Sequence, residues 1–313
     1  MHLTTNHARI DDIRRLAQQN LYQILGKYAF ERSIPKQDFV DNFVNSVDKF
    51  EGLRIENMSK GKLRALMCLS KSDWDSKHFG IGIGKLSHTI LDADLNLKSR
   101  FRMFKKLRAD ARNIGIHLVF GRLPLAELRS IHALEAVGAR LMDVLLTLRR
   151  EALEEPGAES RWIIDAATSD DIATLQSIAK EIFTIDHFHS DELLDYRKSS
   201  ELYSQWISNS YGRSTKAILV AREAKKPVGF VLCTLQPVVS GHVVGVMDLV
   251  GTHPERTCKG VGSALVLRAI EWFSSRVGSV YVGTQAANSA AVRLYEECNF
   301  RSVFAEATFH LRT

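Results

Sequence analysis

The sequence predicts an α/β protein built as two related halves, each with helices packed on a mixed sheet. Three observations predict it. In the second half, stretches of period two and of period near 3.6 follow one another in the order β-α-α-β-β-β-α-β-α-β. The acidic stretch "EALEEPGAESR" at 151–161, with its Pro-Gly pair, divides the 313 residues almost equally. Finally, "VFGRLPLAELRSIHALEAVGARLMDVLLTL" and "VYVGTQAANSAAVRLYEECNFRSVFAEATFHL" share a strand, a helix, a small turn and a strand at an offset of 161 residues. That offset lays Leu134 on Tyr295 and Glu127 on Asn288.

Taken in order, residues 11–26 and 35–50 read as helices, and apolar runs follow at 63–69 and 79–86. A basic helix, "LKSRFRMFKKLRADARNIG", leads to the strand "IHLVFG", a helix over 125–137 and the strand "RLMDVLLTL". After the linker, "RWIIDAA" is a short strand. Residues 168–183 form a helix with an Asp-rich first turn, as the helix dipole favours. "SSELYSQWISNSYG" is a second helix. "AILVARE", "AKKP" and "VGFVLCTL" make a hairpin, and "HVVGVMDLVGTHP" is a long strand. "KGVGSALVLRAIEWFSSRVG" is an amphipathic helix stopped by Gly278. "VYVG", a helix from Asn288 to Glu297 and a last strand or pair of strands complete the order.

Composition, 45% hydrophobic and 25% charged, is that of a globular protein and excludes disordered and fibrous classes. A net charge of +6 favours anionic partners, but the basic residues form no single block and carry no nucleic-acid signature. No nucleic-acid partner is expected. Cys68, Cys233, Cys258 and Cys298 are scattered without ligand spacing, which fits a reducing compartment and no metal. The first twenty residues turn acidic and amphipathic at once, unlike a secretory signal, and no apolar run is long enough to span a membrane. The expectation is a cytoplasmic protein with no membrane partner.

"HPERTCKGVGSALV" places Gly260 and Gly262 at a helix entrance directly after a strand. Unpaired N–H groups and the positive end of the dipole suit such an entrance to phosphate. Glycines there also serve a tight turn. Seven residues separate Asn288 from Tyr295, about two turns, which puts both on one helix face roughly 10 Å apart. They can face one ligand, or be a helix cap and a core residue.

Together "MDLVGTHP", "TCKGVGS" and "NSAAVRLYEECNF" resemble the GNAT acetyltransferase fold, over about 162–312. The resemblance implies a mixed, splayed sheet and acetyl-CoA as co-substrate. It assigns the pyrophosphate to the turn Thr257, Cys258, Lys259, Gly260, Val261, Gly262 and Ser263. Thr257 stands where Arg or Gln is usual and Cys258 where Gly is frequent. The resemblance assigns the pantetheine arm to Leu249, Val250, Gly251 and Asn288, and protonation of the leaving thiolate to Tyr295. It makes 161–313 the catalytic domain and 1–150 a degenerate GNAT-like domain with a helical N-terminal extension. That first copy has no glycine entrance and carries Leu134 in the tyrosine's place.

From about Trp74 to the end, "WDSKHFG", "FTIDHFHSDELLDYRKSSELYSQWISNS" and "VGTQAANSAAVRLYEECNF" resemble dTDP-fucosamine (dTDP-4-amino-4,6-dideoxyhexose) N-acetyltransferases; 1–71 lies outside. This implies a nucleotide-linked aminosugar as the amine. The loop "DHFHSDELLDY" has the groups to grip sugar hydroxyls and attract an ammonium, with His187, His189 and Asp191 as substrate-binding candidates beside Asp248. It also reads as a solvated connection. Tyr203 and Trp206 fit a core as well as a site, and Trp74 with Asp75 fits a structural pin. Asp248, His253, His187 and His189 are all candidate bases. Another amine (a peptide N-terminus, polyamine or drug), or non-catalytic acyl-CoA binding, stays open at this stage, as does a homodimer.

Overall fold

The computed structural model describes residues 9–152, 162–239, 241–256 and 260–313. The chain divides into two compact units, Met1–Met142 with Glu306–Thr313, and Asp143–Ala305.

Unit 1 runs α1 (Ile10–Gln19), α2 (Leu21–Leu25), α3 (Lys36–Asp48), β1 (Leu53–Ser59), β2 (Lys62–Lys71), α4 (Asp73–Phe79), β3 (Ile83–Leu91), α5 (Leu97–Asn113), β4 (Leu118–Pro124) and α6 (Leu128–Ala136). Strands β1, β2 and β3 are antiparallel and β3–β4 is parallel. Alternation along β2 shows why two helical layers are needed. Ala65, Met67 and Leu69 bury toward Phe104 and Leu107 of α5, while Leu66 and Cys68 bury toward Leu16 of α1 and Val44 of α3. Burial pushes the Cys68 thiol up to about 12. Within residues 9–71 the chain supplies α1, α2, α3, β1 and β2.

Several local expectations shift. The helix expected at 11–26 breaks at Asn20, whose side-chain amide donates to Leu16 O at 2.9 Å. The run at 79–86 is not one strand, because Phe79 ends α4 and Gly80, at φ 77°, turns the chain before β3. Strand β1 was not anticipated. The linker residues 153–161 lie outside the described residues.

Next come β5 (Arg140–Glu151), β6 (Ile163–Ala166), α7 (Ile172–Ile182), α8 (Tyr196–Ser210), β7 (Lys216–Glu223), β8 (Lys226–Pro237), β9 (Val243–Thr252), α9 (Val261–Ser274), β10 (Ser279–Gln285), α10 (Ser289–Glu297) and β11 (Arg301–Arg312). Unit 2 has the strand order β5-β10-β9-β8-β7-β6, antiparallel except for β9–β10. Leu219, Val231, Cys233 and Met247 bury on the α9–α10 face, and Ile218, Val220, Phe230, Leu232 and Leu249 on the α7–α8 face.

The internal echo is carried by the element bounds: β4, α6 and β5 recur 161 residues later as β10, α10 and β11. The last strands are exchanged. β5 pairs with β10, Leu148 opposite Val282, and within unit 1 β11 pairs with β4, Phe309 opposite Gly121. Phe309 is 161 residues after Leu148 and Gly121 is 161 before Val282, so both ladders have the same register.

Candidate active site

Strands β9 and β10 pair only at Val280–Gly245, Tyr281–Val246 and Val282–Met247. Beyond that point β10 keeps β5 as far as Gln285, and β9 keeps β8 as far as Thr252. The described residues give no further pairing between them, so the sheet parts at Met247.

A bulge sits at the parting. Leu232 faces Leu249 while Cys233 faces Met247, which leaves Asp248 as the extra residue of β9. Past the bulge, His253 N–H donates to Val228 O at 2.8 Å. Antiparallel alternation then gives Gly251 and Leu249 to β8 and turns the N–H and C=O of Val250 toward the gap. Of the three predicted residues, Val250 is the one whose backbone faces it. Leu249 is buried beside Ile178 and Ala179 of α7, and Gly251 is buried against Ile182.

The Asp248 carboxylate is held. Thr234 Oγ1 donates to its Oδ2 at 2.5 Å, and Lys216 Nζ lies 3.3 Å from the same oxygen. Lys216, on β7, had no signal in the sequence; its contact spans 32 residues and two strands.

Helix α9 opens on Gly260 at φ 78° with, among the described residues, no side-chain cap, and its first turn carries no acidic residue. The N–H groups of Val261, Gly262 and Ser263 are the ones a helix start leaves unpaired. The Val261 side chain is core, so only its backbone can meet a ligand. Both glycines also have structural reasons to be glycine: Gly260 is left-handed, and a Cβ on Gly262 would sit 3.2 Å from Leu294 of α10. Thr257, Cys258 and Lys259 lie outside the described residues.

On α10, Asn288 Oδ1 accepts from Ala291 N at 3.1 Å, a helix cap that leaves its amide nitrogen as the group able to meet a ligand. Tyr295 is 5% exposed and packs edge-on to Phe300 at 6.0 Å. It shares its buried cluster with Met247 and Val282, the last pair before the strands part. Burial, and secondarily Cys298, raises its hydroxyl well above the ordinary phenol range, so the ring stays protonated at neutral pH.

The loop before α8 is folded inward more than its polarity suggests. Asp186 Oδ1 accepts from Phe188 N and His189 N, and Asp186 Oδ2 lies 2.5 Å from His189 Nδ1. Burial raises the Asp186 carboxyl, but the bonds from His189 outweigh it and leave the group below its ordinary value. His189 Nε2 lies 3.0 Å from Ser200 Oγ, so both ring nitrogens are engaged in a 2% exposed side chain. His187 is buried with its ring 4.0 Å from that of Phe188, and Asp191 is buried with Oδ1 accepting from Leu193 N. Tyr203 stacks on Phe183 at 4.8 Å, and Trp206, 40% exposed, borders it. His253 Nδ1 accepts from Glu255 N at 3.3 Å. In unit 1, Trp74 stacks on His78 of its own helix and Asp75 accepts from Ser72 Oγ.

The counterpart surfaces in unit 1 are closed by their own side chains. Asn96 caps α5, accepting from Ser99 N at 2.9 Å. The buried Arg100 guanidinium donates to Leu95 O, Asp92 O, Ser130 Oγ and Glu127. Glu127 also accepts from Gln23 of α2 at 2.8 Å. Leu134 is buried at the position corresponding to Tyr295.

Residues 172–300 match the profile of the Acetyltransferase (GNAT) family. Over 252 residues, 80% of this chain and 84% of its relative, the sequence is 20% identical to the spore coat polysaccharide biosynthesis protein SpsD of Bacillus subtilis (strain 168). A GCN5-related N-acetyltransferase from Sphaerobacter thermophilus superposes with a TM-score of 0.60 at 12% identity, covering 95% of this chain and 92% of that one. A tandem GNAT protein from the clavulanic acid biosynthesis pathway gives 0.58 at 12%, covering 97% and 94%. Residues 172–300, all within unit 2, are thus similar to the Acetyltransferase (GNAT) family, and the two solved structures share its fold. The chain is an N-acetyltransferase, and its fold supports acyl transfer with acetyl-CoA, the co-substrate of the GNAT family.

Proposed function

We propose that the chain acetylates the amine of a nucleotide-linked aminosugar by direct transfer within a ternary complex. The observation that carries the reading is the parting of β9 from β10 at Met247, with the Val250 N–H turned into the gap and Tyr295 packed behind it. Val250 N–H polarises the thioester carbonyl and stabilises the oxyanion that forms there. The α9 entrance at Val261, Gly262 and Ser263 holds the pyrophosphate, and the Asn288 amide and β9 backbone hold the pantetheine arm. Tyr295 gives a proton to the departing sulfur. Asp248 meets the acceptor amine.

The aminosugar reading is supported by the relationship to SpsD, whose name places that protein in polysaccharide biosynthesis. It is also supported by the loop from His187 to Asp191. His189 bonds to Asp186 and Ser200, and His187 and Asp191 stand as further candidates for sugar contact. Release of free thiol from acetyl-CoA, measured against nucleotide aminosugars, polyamines and peptides, tests the assignment. Turnover of the aminosugars is expected; strong turnover of peptides alone would overturn it.

A further inference from the structure

We infer that Lys216 is a positioning residue of the acceptor site, whose fixed charge beside the Asp248 carboxylate makes the bound acceptor amine easier to deprotonate. The inference rests on the acetyl-transfer reading above. Lys216, Thr234 and Asp248 lie on three adjacent strands at the parting of the sheet, Lys216 being opposite Thr234 in the β7–β8 ladder. Lys216 Nζ is 3.3 Å from Asp248 Oδ2 and 3.4 Å from Ser210 Oγ at the end of α8. Both charged side chains are largely shielded, 20% and 16% exposed, so their fields are weakly screened.

The groups facing the pair are the hydroxyls of Thr234 and Ser210, the carbonyl end of α8, and Cys233 on β8. The Cys233 thiol is pushed up by burial and then by Asp248, and stays protonated. Among the described residues, both contacts to Asp248 fall on Oδ2, which makes Oδ1 the oxygen for an incoming ammonium. That ammonium then stands within a few ångströms of Lys216. A neighbouring cation disfavours the charged form of an amine, so its proton leaves at lower pH.

The step balances as follows. The ammonium gives one proton to water, and the freed nitrogen lone pair forms the bond to the thioester carbon. The C–S bond breaks, with its electron pair leaving on sulfur, which takes the Tyr295 proton. The second amine proton passes through water to restore Tyr295. The net products are amide, free thiol and one proton. Asp248 remains a carboxylate throughout and acts as an anchor.

The test is the pH profile of kcat, at saturating acetyl-CoA and acceptor, for the wild type, Lys216→Met, Lys216→Gln and Lys216→Arg. Both neutral variants should move the acid limb up by about one to two pH units, the scale of one charge at short range in a partly shielded site. The loss should be about ten- to a hundredfold below the limb, with near-wild-type rates above it. Lys216→Arg should keep the wild-type limb. An unmoved limb in whichever neutral variant folds, a loss equal at all pH values, or Lys216→Arg behaving like the neutral variants would overturn the inference. Absence of turnover by the wild type with every amine would instead overturn the acetyl-transfer reading, and this inference with it.

Discussion

Tyr295→Phe separates a packing role from a chemical one because the substitution keeps the ring. Tyr295 is 5% exposed, and its ring contacts, including the edge-on pair with Phe300, are available to phenylalanine. Loss of the hydroxyl should therefore change stability by only about 1 kcal/mol. If that hydroxyl delivers the proton to the leaving sulfur, kcat should fall roughly 10²–10⁴-fold, with acetyl-CoA binding retained. Such a fall corresponds to about 3–5 kcal/mol of lost transition-state stabilisation. Its raised proton affinity makes Tyr295 a reluctant acid, so the help should matter most for a poor leaving group. Steady-state turnover should be compared for acetyl-CoA and for an acetyl thioester of a more acidic thiol, beside a thermal melt. A smaller loss with the more acidic thiol is expected. A wild-type kcat, or equal losses with both thioesters, would refute the acid role.

Arg100→Ala removes a buried guanidinium and strands Glu127 and Ser130, so unit 1 should lose about 3–5 kcal/mol in denaturant titration. Arg222 clamps Asp171 through both guanidinium ends, and this bonding holds the Asp171 carboxyl far below the ordinary range. Arg222→Met should cost about 3 kcal/mol at neutral pH. A carboxyl with a depressed folded-state pKa stabilises fully above its unfolded value and loses that contribution as pH falls. Melts should therefore show the wild-type advantage shrinking progressively below about pH 4. Asp248→Asn should raise KM for the amine while leaving acetyl-CoA binding unchanged, as initial-rate kinetics can show.

The sequence carried most of what is local. The spacing of Asn288 and Tyr295 on one helix, the glycine entrance at Gly260 and the 161-residue echo are all short-range patterns, and each coincides with an element of the fold. Pairing partners were less visible, because a strand's residues encode its two faces and not its neighbours. Hence the exchange of β5 and β11 had no signature in either strand. Strand β1, "LRIENMS", hides behind the mixed polarity of a half-exposed edge. The Asp248 bulge and its lysine partner depend on register across β7, β8 and β9. His189 reads from the sequence as a substrate-binding candidate in a polar loop, and its two contacts to Asp186 turn it inward.

The most direct measurement is a calorimetric titration of the full chain with acetyl-CoA, beside Gly260→Asp. Aspartate tolerates the left-handed backbone at this position, and its carboxylate suits a helix start while repelling a pyrophosphate there. One site per chain is expected, because α5 in unit 1 is capped by Asn96 and closed by Arg100, whereas α9 begins on Gly260 with no side-chain cap among the described residues. The variant should fold and bind a pantetheine fragment normally, and lose affinity for acetyl-CoA. Two sites per chain, or undiminished acetyl-CoA binding in a folded Gly260→Asp, would contradict a single cofactor site built by the α9 entrance.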